Sequence, residues 1–157
     1  MKYSYPYPMP SITVDVIVYD KFGDRILLIK RRDDPYKDCW ALPGGFFNPV
    51  EGKGVTADIS ILSAAARELK EETNLTISLD RFYFVKIQDA IGRDIRGRVV
   101  TFVYSTNVYL FSGVHEEVKA QDDAKEIDWV PVLQILDKTV PLAFDHWDSI
   151  RHFIRTK

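Results

Sequence analysis

Three glutamates within five residues are the strongest chemical signal in this sequence. The stretch RELKEETNL, residues 67–75, places Glu68, Glu71 and Glu72 at positions i, i+3 and i+4, which share one face of a helix. Like charges this close destabilise a helix unless a cation lies between them. Carboxylate oxygens are preferred ligands of Mg2+ and Mn2+, which also bind phosphate oxygens. The spacing therefore indicates a divalent metal site, with a solvated acidic face as the alternative.

A glycine-rich loop lies upstream of the glutamates. In ALPGGFFNPVE, residues 41–51, Gly44 and Gly45 precede two aromatic residues and Glu51. Glycines let the backbone approach a metal or a phosphate closely. Loop and helix together resemble the Nudix box, Gx5Ex7REUxEExGU with U an aliphatic residue. The matching positions are Gly45, Glu51, Arg67, Glu68, Leu69, Glu71, Glu72 and Leu75.

The sequence departs from the box at two places. Residues 52–66 separate Glu51 from Arg67 where the pattern has only seven residues, an insertion of eight. A loop can lengthen at small thermodynamic cost, but the insertion leaves the placement of Glu51 open. Asn74 replaces the glycine of the pattern. Asparagine is the next best residue for a left-handed helix end, so we expect this change to be tolerated.

The resemblance implies a fold, a reaction and a metal. The fold is of the α/β class, a Nudix α/β/α sandwich around a central mixed sheet. The reaction is hydrolysis of a nucleoside diphosphate linked to a moiety X, with Mg2+ or Mn2+ as cofactor. The implied metal ligands are Glu68, Glu71, Glu72 and the carbonyl of Gly45. Arg67 is expected to pair with Glu51, and the implied catalytic residues are Glu68, Glu71, Arg67 and Glu51.

Further segments resemble the ADP-ribose pyrophosphatases and related Nudix domains of nicotinamide-nucleotide metabolism. They are YKDCWALPGGF, GRDIRGRVVTFVY, QDDAKEIDWVPV and PLAFDH. The expected reaction is therefore cleavage of ADP-ribose to AMP and ribose 5-phosphate. One alternative is a non-catalytic Nudix module that senses ADP-ribose. Another is a pyrophosphatase for NADH, a dinucleoside polyphosphate or an oxidised deoxynucleoside triphosphate.

Several side chains outside the acidic helix are candidates for substrate contacts or proton transfer. Arginines can pair with phosphate oxygens and aromatic rings can stack on adenine. The candidates for substrate binding are Arg31, Phe46, Phe47, Arg96 and Arg98. A general base in this family often comes from a distant loop, and the acidic run at residues 120–126 offers Asp123, with Asp122 and Glu126 as alternatives. His146 is expected to have a structural role, with substrate contact as the alternative.

Periodicity predicts the elements that position these residues. β-Branched runs indicate strands over Ile12 to Asp20 and Arg25 to Arg32, joined as a hairpin with Gly23 in the turn. A helix is expected from Asp58 to Leu75, capped by Asp58 or Ser60. Residues 81–91, 98–111 and 126–132 read as strands, and residues 144–156 as an amphipathic helix.

Composition limits the class of protein. The chain has 157 residues, 46% of them hydrophobic, which suits a single domain over residues 1–157. A net charge of −2 with dispersed charged residues argues against nucleic-acid and anionic-membrane partners. The single cysteine and the absence of an apolar signal segment predict a cytoplasmic location. Many members of the family are dimers, so a homodimer stays open.

Overall fold

The computed structural model describes residues 5–50, 56–110, 118–120 and 124–157, which form a mixed β-sheet packed between helices. The strands are β1 (Ser11–Asp20), β2 (Arg25–Arg31), β3 (Trp40–Ala41), β4 (Gly44–Phe46), β5 (Tyr83–Gln88), β6 (Val99–Val108) and β7 (Ala124–Pro131). The α-helices are α1 (Ile61–Thr73), α2 (Val132–Leu136) and α3 (His146–Thr156), and a 3-10 helix covers Leu79–Arg81.

The sheet is centred on β1. Its strand order is β3-β2-β1-β6-β5, with β4 also paired to β1 and β7 to β2. β1 and β6 are parallel in continuous register from Ser11–Val99 to Asp20–Val108, whereas β4 is antiparallel to β1. A parallel pair needs a long crossover connection. Here that connection carries β4 and α1, so the glycine loop and the acidic helix lie beside the central strand.

Alternation along β1 produces two cores, because successive side chains of a strand point to opposite faces of the sheet. The core on the α1 side includes Val14, Val16, Val18, Ala64, Ala65 and Leu69. The core on the α3 side includes Ile17, Tyr19, Leu28, Ile150 and Phe153. The predicted α/β/α sandwich with a central mixed sheet is confirmed.

The ends of α1 explain where the acidic helix starts and stops. Ser60 is the N-cap: its side chain accepts from the Ser63 N–H, and the Ser63 hydroxyl accepts from the Ser60 N–H. The helix therefore begins three residues after the predicted start at Asp58. Asn74 closes the helix with φ 62° and ψ 5°, and its N–H donates to the Lys70 carbonyl. Asparagine thus adopts the left-handed conformation that the glycine of the box would supply.

Sequence patterns missed the shortest elements. β3 and β4 lie within residues 32–54, which read as irregular because of their prolines and glycines. Two-residue and three-residue strands are too short to show a period. The five-residue helix α2 was also missed, where a strand was expected to continue to Val132. No helix in the described ranges is long and apolar enough to cross a membrane.

Asp20 closes the β1–β2 hairpin from a buried position. Its carboxylate accepts from the N–H groups of Phe22 and Gly23 at 3.0 Å and from the Arg25 guanidinium at 3.0 and 3.2 Å. Burial opposes ionisation of this carboxyl group. The hydrogen bonds from Gly23, Arg25 and Phe22 outweigh burial and hold the pKa of Asp20 below its ordinary value.

Asp20→Asn should lower the free energy of unfolding at pH 7 by about 1.5–3 kcal/mol, because it weakens hydrogen bonds to a buried charge. Because the pKa of Asp20 is lower in the folded state, this stabilisation is fully present at pH values above the unfolded-state pKa of about 3.9. It is lost as pH falls through the folded pKa. Urea unfolding between pH 7 and pH 3 measures the difference, with the exposed Asp137→Asn variant as the control. If Asp20→Asn loses the same free energy of unfolding at pH 3 as at pH 7, Asp20 is not the stabilising buried carboxylate described above.

Candidate active site

The glycine loop and the acidic helix are in direct contact. The Gly44 N–H donates to Glu72 Oε2 at 2.8 Å, and Glu72 is buried. Gly45 lies against Glu68: a Cβ built at Gly45 would come within 2.5 Å of the Glu68 Cδ atom. A Cβ at Gly44 would lie 2.1 Å from the Val14 carbonyl oxygen. Gly44 is therefore required by its close approach to the backbone of β1, whereas a side chain at Gly45 would displace the Glu68 carboxyl group.

Arg67 binds two of the neighbouring glutamates. Its Nη1 donates to Glu68 Oε1 at 2.7 Å and to Glu71 Oε2 at 2.9 Å. Its Nη2 donates to the Phe46 carbonyl at 2.9 Å, which connects the helix to the end of β4. The arginine thus supplies part of the positive charge that three adjacent carboxylates need.

Asp58 is the main carboxylate partner of Arg67 in the described residues. Arg67 donates to its two oxygens from Nε at 2.8 Å and from Nη2 at 2.9 Å. This bidentate geometry is the strong form of an arginine–carboxylate pair. The pair predicted for Arg67 involved Glu51, which lies outside the described residues. In the box, seven residues separate the acidic position from the arginine. Counted back from Arg67, the acidic position is residue 59, so a search near it would have pointed to the neighbouring Asp58.

Asp58 also holds together the two ends of the inserted segment. The Asn48 N–H donates to Asp58 Oδ2 at 2.8 Å, and the Asp58 N–H donates to the Asn48 carbonyl at 2.9 Å. Residue 48 therefore lies beside residue 58, and the chain between them can lengthen without moving Arg67. This contact explains how an insertion of eight residues is compatible with an intact glycine loop and helix.

A cavity of about 350 Å³ opens beside these contacts. Its wall includes Gly44, Gly45, Glu68 and Glu72 at one end. Burial raises the pKa of the Glu68 carboxyl above its ordinary value, although the hydrogen bond from Arg67 opposes that shift. A buried carboxylate at a cavity wall is an electrostatically costly arrangement, and such groups are concentrated at functional sites.

The floor of the cavity is polar and buried. The Arg93 guanidinium forms a two-bond pair with Asp145 at 2.6 and 2.7 Å and donates to the Thr101 hydroxyl at 2.6 Å. The Thr101 hydroxyl lies 2.6 Å from that of Thr13. All of these residues except Asp145 line the cavity. Sequence reasoning missed Arg93, because it lies in the same arginine-rich turn as the chosen candidates and only the fold shows which arginine points inward.

His146 links the start of α3 to β1 at the same floor. Its Nδ1 accepts from the Leu42 N–H at 3.0 Å, so its Nε2 carries the hydrogen and faces Asp15 Oδ2 at 3.3 Å. Both side chains are buried and line the cavity. His146 therefore has the expected structural contacts and also lies at the cavity wall.

The other predicted site residues divide into three groups. Arg31, Phe46 and Arg96 line the cavity. Phe47 packs against the core on the α1 side, and Arg98 donates to the Asp89 carbonyl from an exposed position. Their placement gives no support for the substrate contacts predicted for Phe47 and Arg98. The predicted general base Asp123 lies outside the described residues, as does Glu51.

The donor set at the glycine loop fits a hard divalent cation in type. Carboxylate oxygens of Glu68 and Glu72 lie at the cavity wall beside the backbone of Gly45, and such oxygens are the ligands of Mg2+ and Mn2+. Glu71 turns toward Arg67 and is 44% exposed. No three histidine, cysteine or acidic side chains within the described ranges form a ready metal cluster. A bound ion would therefore need further ligands. Glu71 could supply one if it left Arg67, and oxygens of substrate and water could supply others.

Comparison with known proteins places the chain in a family. A model of the NUDIX domain matches residues 9–154, so the chain belongs to the Nudix family. It is 35% identical over 151 residues to the ADP-ribose pyrophosphatase of Methanocaldococcus jannaschii, covering 96% of this chain and 77% of that protein. This match supports its assignment as a Nudix hydrolase. It is also 33% identical to the ADPR responsive transcriptional repressor NtrR of Acinetobacter baylyi, covering 92% of this chain but 53% of the repressor.

Solved structures show the same fold. The NUDIX domain of Shewanella oneidensis NrtR complexed with ADP ribose superposes with a TM-score of 0.80 at 25% identity, covering 97% of this chain and 92% of that domain. A Francisella tularensis bifunctional NMN adenylyltransferase/ADP ribose pyrophosphatase, complexed with AMP and a Mn ion, superposes with a TM-score of 0.75 at 29% identity. That match covers 96% of this chain and 43% of the bifunctional protein.

Asp58→Asn tests the pairing that replaces the predicted one. The variant should lower the free energy of unfolding by about 1.5–3 kcal/mol, because a nearly buried charge-assisted pair loses its anion. Urea unfolding measures the effect. Asp38→Asn is the matched control, since its pair with Lys125 is exposed and exposed pairs contribute little. Equal losses of unfolding free energy in Asp58→Asn and Asp38→Asn would show that Asp58 does not anchor Arg67.

Proposed function

We propose that the protein is a Mg2+- or Mn2+-dependent pyrophosphatase that cleaves ADP-ribose to AMP and ribose 5-phosphate. The observation that carries the proposal is the contact of Gly44 and Gly45 with Glu72 and Glu68 at the wall of a cavity. The similarity to an ADP-ribose pyrophosphatase over 96% of the chain supports the choice of substrate. The polar floor around Arg93 suits the hydroxyl groups of a sugar, which need hydrogen-bond partners when buried.

The chain's own residues have distinct tasks in this reaction. Glu68, Glu71, Glu72 and the Gly45 carbonyl would hold the metal, which when bound neutralises the diphosphate and lowers the pKa of water for attack on phosphorus. Arg67 keeps the carboxylates oriented and the helix joined to β4. Gly45 lets the Glu68 carboxyl lie directly against the loop, because a Cβ at this position would come within 2.5 Å of it.

Proton transfer from the attacking water needs a base within hydrogen-bond reach. We propose Asp123 for this role, with Asp122 and Glu126 as the other candidates from the same acidic run. Of these candidates, Glu126 forms an exposed pair with Lys30 at 3.2 Å.

Ligand sensing without turnover is the second candidate function. It is favoured by the similarity to the repressor NtrR and to the ADP ribose complex of the NrtR domain. In that case the cavity would bind ADP-ribose as a signal, and a protein that contains this domain could act on DNA through other parts. Retention of Glu68, Glu71 and Glu72 together favours the enzyme, because a sensor has no need for the full metal set.

Glu72→Gln separates catalysis from folding. The amide oxygen of glutamine can still accept from the Gly44 N–H, so the fold should be preserved. The loss of one anionic ligand should reduce kcat for ADP-ribose by roughly a hundredfold or more. Product formation is measured with Mg2+ and with Mn2+, alongside NADH, a diadenosine polyphosphate and 8-oxo-dGTP as competing substrates.

Three outcomes of these assays decide between the candidate functions. An exposed Asp137→Asn variant should keep full activity. A Glu72→Gln protein as active as the parent would remove the metal assignment. Tight ADP-ribose binding by the parent, with no turnover of any substrate, would establish the sensing function instead.

A further inference from the structure

The His146 side chain bonds to the backbone two residues before Gly44. The Leu42 N–H donates to His146 Nδ1 at 3.0 Å, and both residues are buried. A buried backbone N–H that loses its acceptor costs free energy comparable to a lost hydrogen bond. The bond therefore holds the chain between β3 and β4 to the first residue of α3.

His146 supplies an acceptor at the point where a short parallel ladder ends. The Trp40 N–H donates to the Pro141 carbonyl at 2.9 Å, and the Ala143 N–H donates to the Trp40 carbonyl at 2.8 Å. In a parallel ladder the next bond would run from the Leu42 N–H to the Ala143 carbonyl. That carbonyl instead accepts from the His146 N–H at 3.3 Å, where α3 begins. The imidazole takes its place as the acceptor for Leu42.

The backbone between Leu42 and the metal-site carboxylates has little freedom. Pro43 follows Leu42, its ring fixes φ, and its carbonyl accepts from the Val16 N–H at 2.8 Å. Gly44 comes next, and its N–H donates to Glu72 Oε2 at 2.8 Å. The position of the Leu42 backbone is thus passed on to the donor that holds Glu72.

A second contact of the same ring reaches the strand beneath Gly44. The Nε2 of His146 lies 3.3 Å from Asp15 Oδ2. Asp15 is the partner of Gly44 in the pairing of β1 with β4, and a Cβ at Gly44 would come within 2.6 Å of Asp15 Oδ1. The imidazole therefore also fixes the carboxylate against which Gly44 packs.

We infer that His146 is a positioning residue for the metal site, because its bond to Leu42 fixes the backbone at Gly44, and Gly44 orients Glu72. The inference rests on the proposed function for the presence of a metal at Glu72. It assigns His146 an effect on the metal ligands without contact with metal or substrate. Outer-shell groups of this kind typically contribute about 10–100-fold to metal affinity or activity.

Binding of Mn2+ to the full chain tests the inference without any turnover, because the electron paramagnetic resonance signal of free Mn2+ falls as the ion binds. His146→Ala should weaken Mn2+ binding about tenfold. His146→Asn should bind within about threefold of the parent, since the side-chain oxygen of asparagine takes the place of Nδ1 and accepts from the Leu42 N–H. His146→Gln places its amide toward Asp15 instead, and should remain as weak as His146→Ala.

Ser149→Ala is the matched control on the same helix. Ser149 is buried, and its hydroxyl accepts from the Gln88 side-chain amide at 3.0 Å. The variant removes a buried hydrogen bond of α3 away from the glycine loop. It should lower the free energy of unfolding, measured with urea, and leave the Mn2+ affinity unchanged.

Four results would overturn the inference. They are an unchanged Mn2+ affinity in His146→Ala, a loss of affinity that His146→Asn does not restore, an equal loss in Ser149→Ala, and a raised KM for ADP-ribose as the only change in His146→Ala. The last of these would assign His146 to substrate contact. If His146→Ala does not fold, equal Mn2+ affinities of His146→Asn and His146→Gln would overturn the inference in its place.

Failure of the positioning role and failure of the proposed function give different results. Mn2+ binding that depends on His146, in a protein without turnover, would leave the positioning role standing and remove the hydrolase. ADP-ribose turnover by the parent, with an Mn2+ affinity that His146→Ala does not change, would leave the hydrolase standing and remove the positioning role.

Discussion

The structure depends on the close approach of two glycines to two glutamates. Gly44 and Gly45 have no room for a side chain, because β1 lies on one side and α1 on the other. This contact fixes Glu68 and Glu72 at the cavity wall and requires β4 to pair with the central strand. The hydrophobic core below α1 provides the rigid support that such a constellation needs. A substitution at Gly44 would push β4 away from β1, and a substitution at Gly45 would displace the carboxyl group of Glu68.

Arg67 makes the crowded acidic turn compatible with a folded protein. Three carboxylates on adjoining positions repel one another, and burial adds to the cost of the charge on Glu68. Arg67 offsets part of this cost through its pairs with Glu68 and Glu71. The remaining negative charge supports the proposed binding of a metal ion at this wall.

The sequence was sufficient to predict the elements with a repeating pattern and the residues of the box. Continuous runs of aliphatic residues identified β1 and β2, which are buried on both faces. Helical spacing identified α1 and α3, because burial on one face leaves a periodic record. It could not identify β4, whose Gly44–Phe46 segment carries no period, or the partner of Arg67 across an insertion. It also could not rank the three arginines of the β5–β6 turn. Those assignments depend on distant segments meeting at one cavity, which a linear pattern does not encode.

The most direct test of the metal and diphosphate site is a crystal structure of the protein with Mn2+ and a non-hydrolysable α,β-methylene analogue of ADP-ribose. Anomalous scattering locates the manganese independently of the protein atoms. We expect a manganese peak bound by Glu68 and Glu72, with the bisphosphonate group of the analogue in contact with that ion beside Gly45. A nucleotide bound in the cavity with no manganese at these carboxylates, or manganese held elsewhere on the chain, would contradict it.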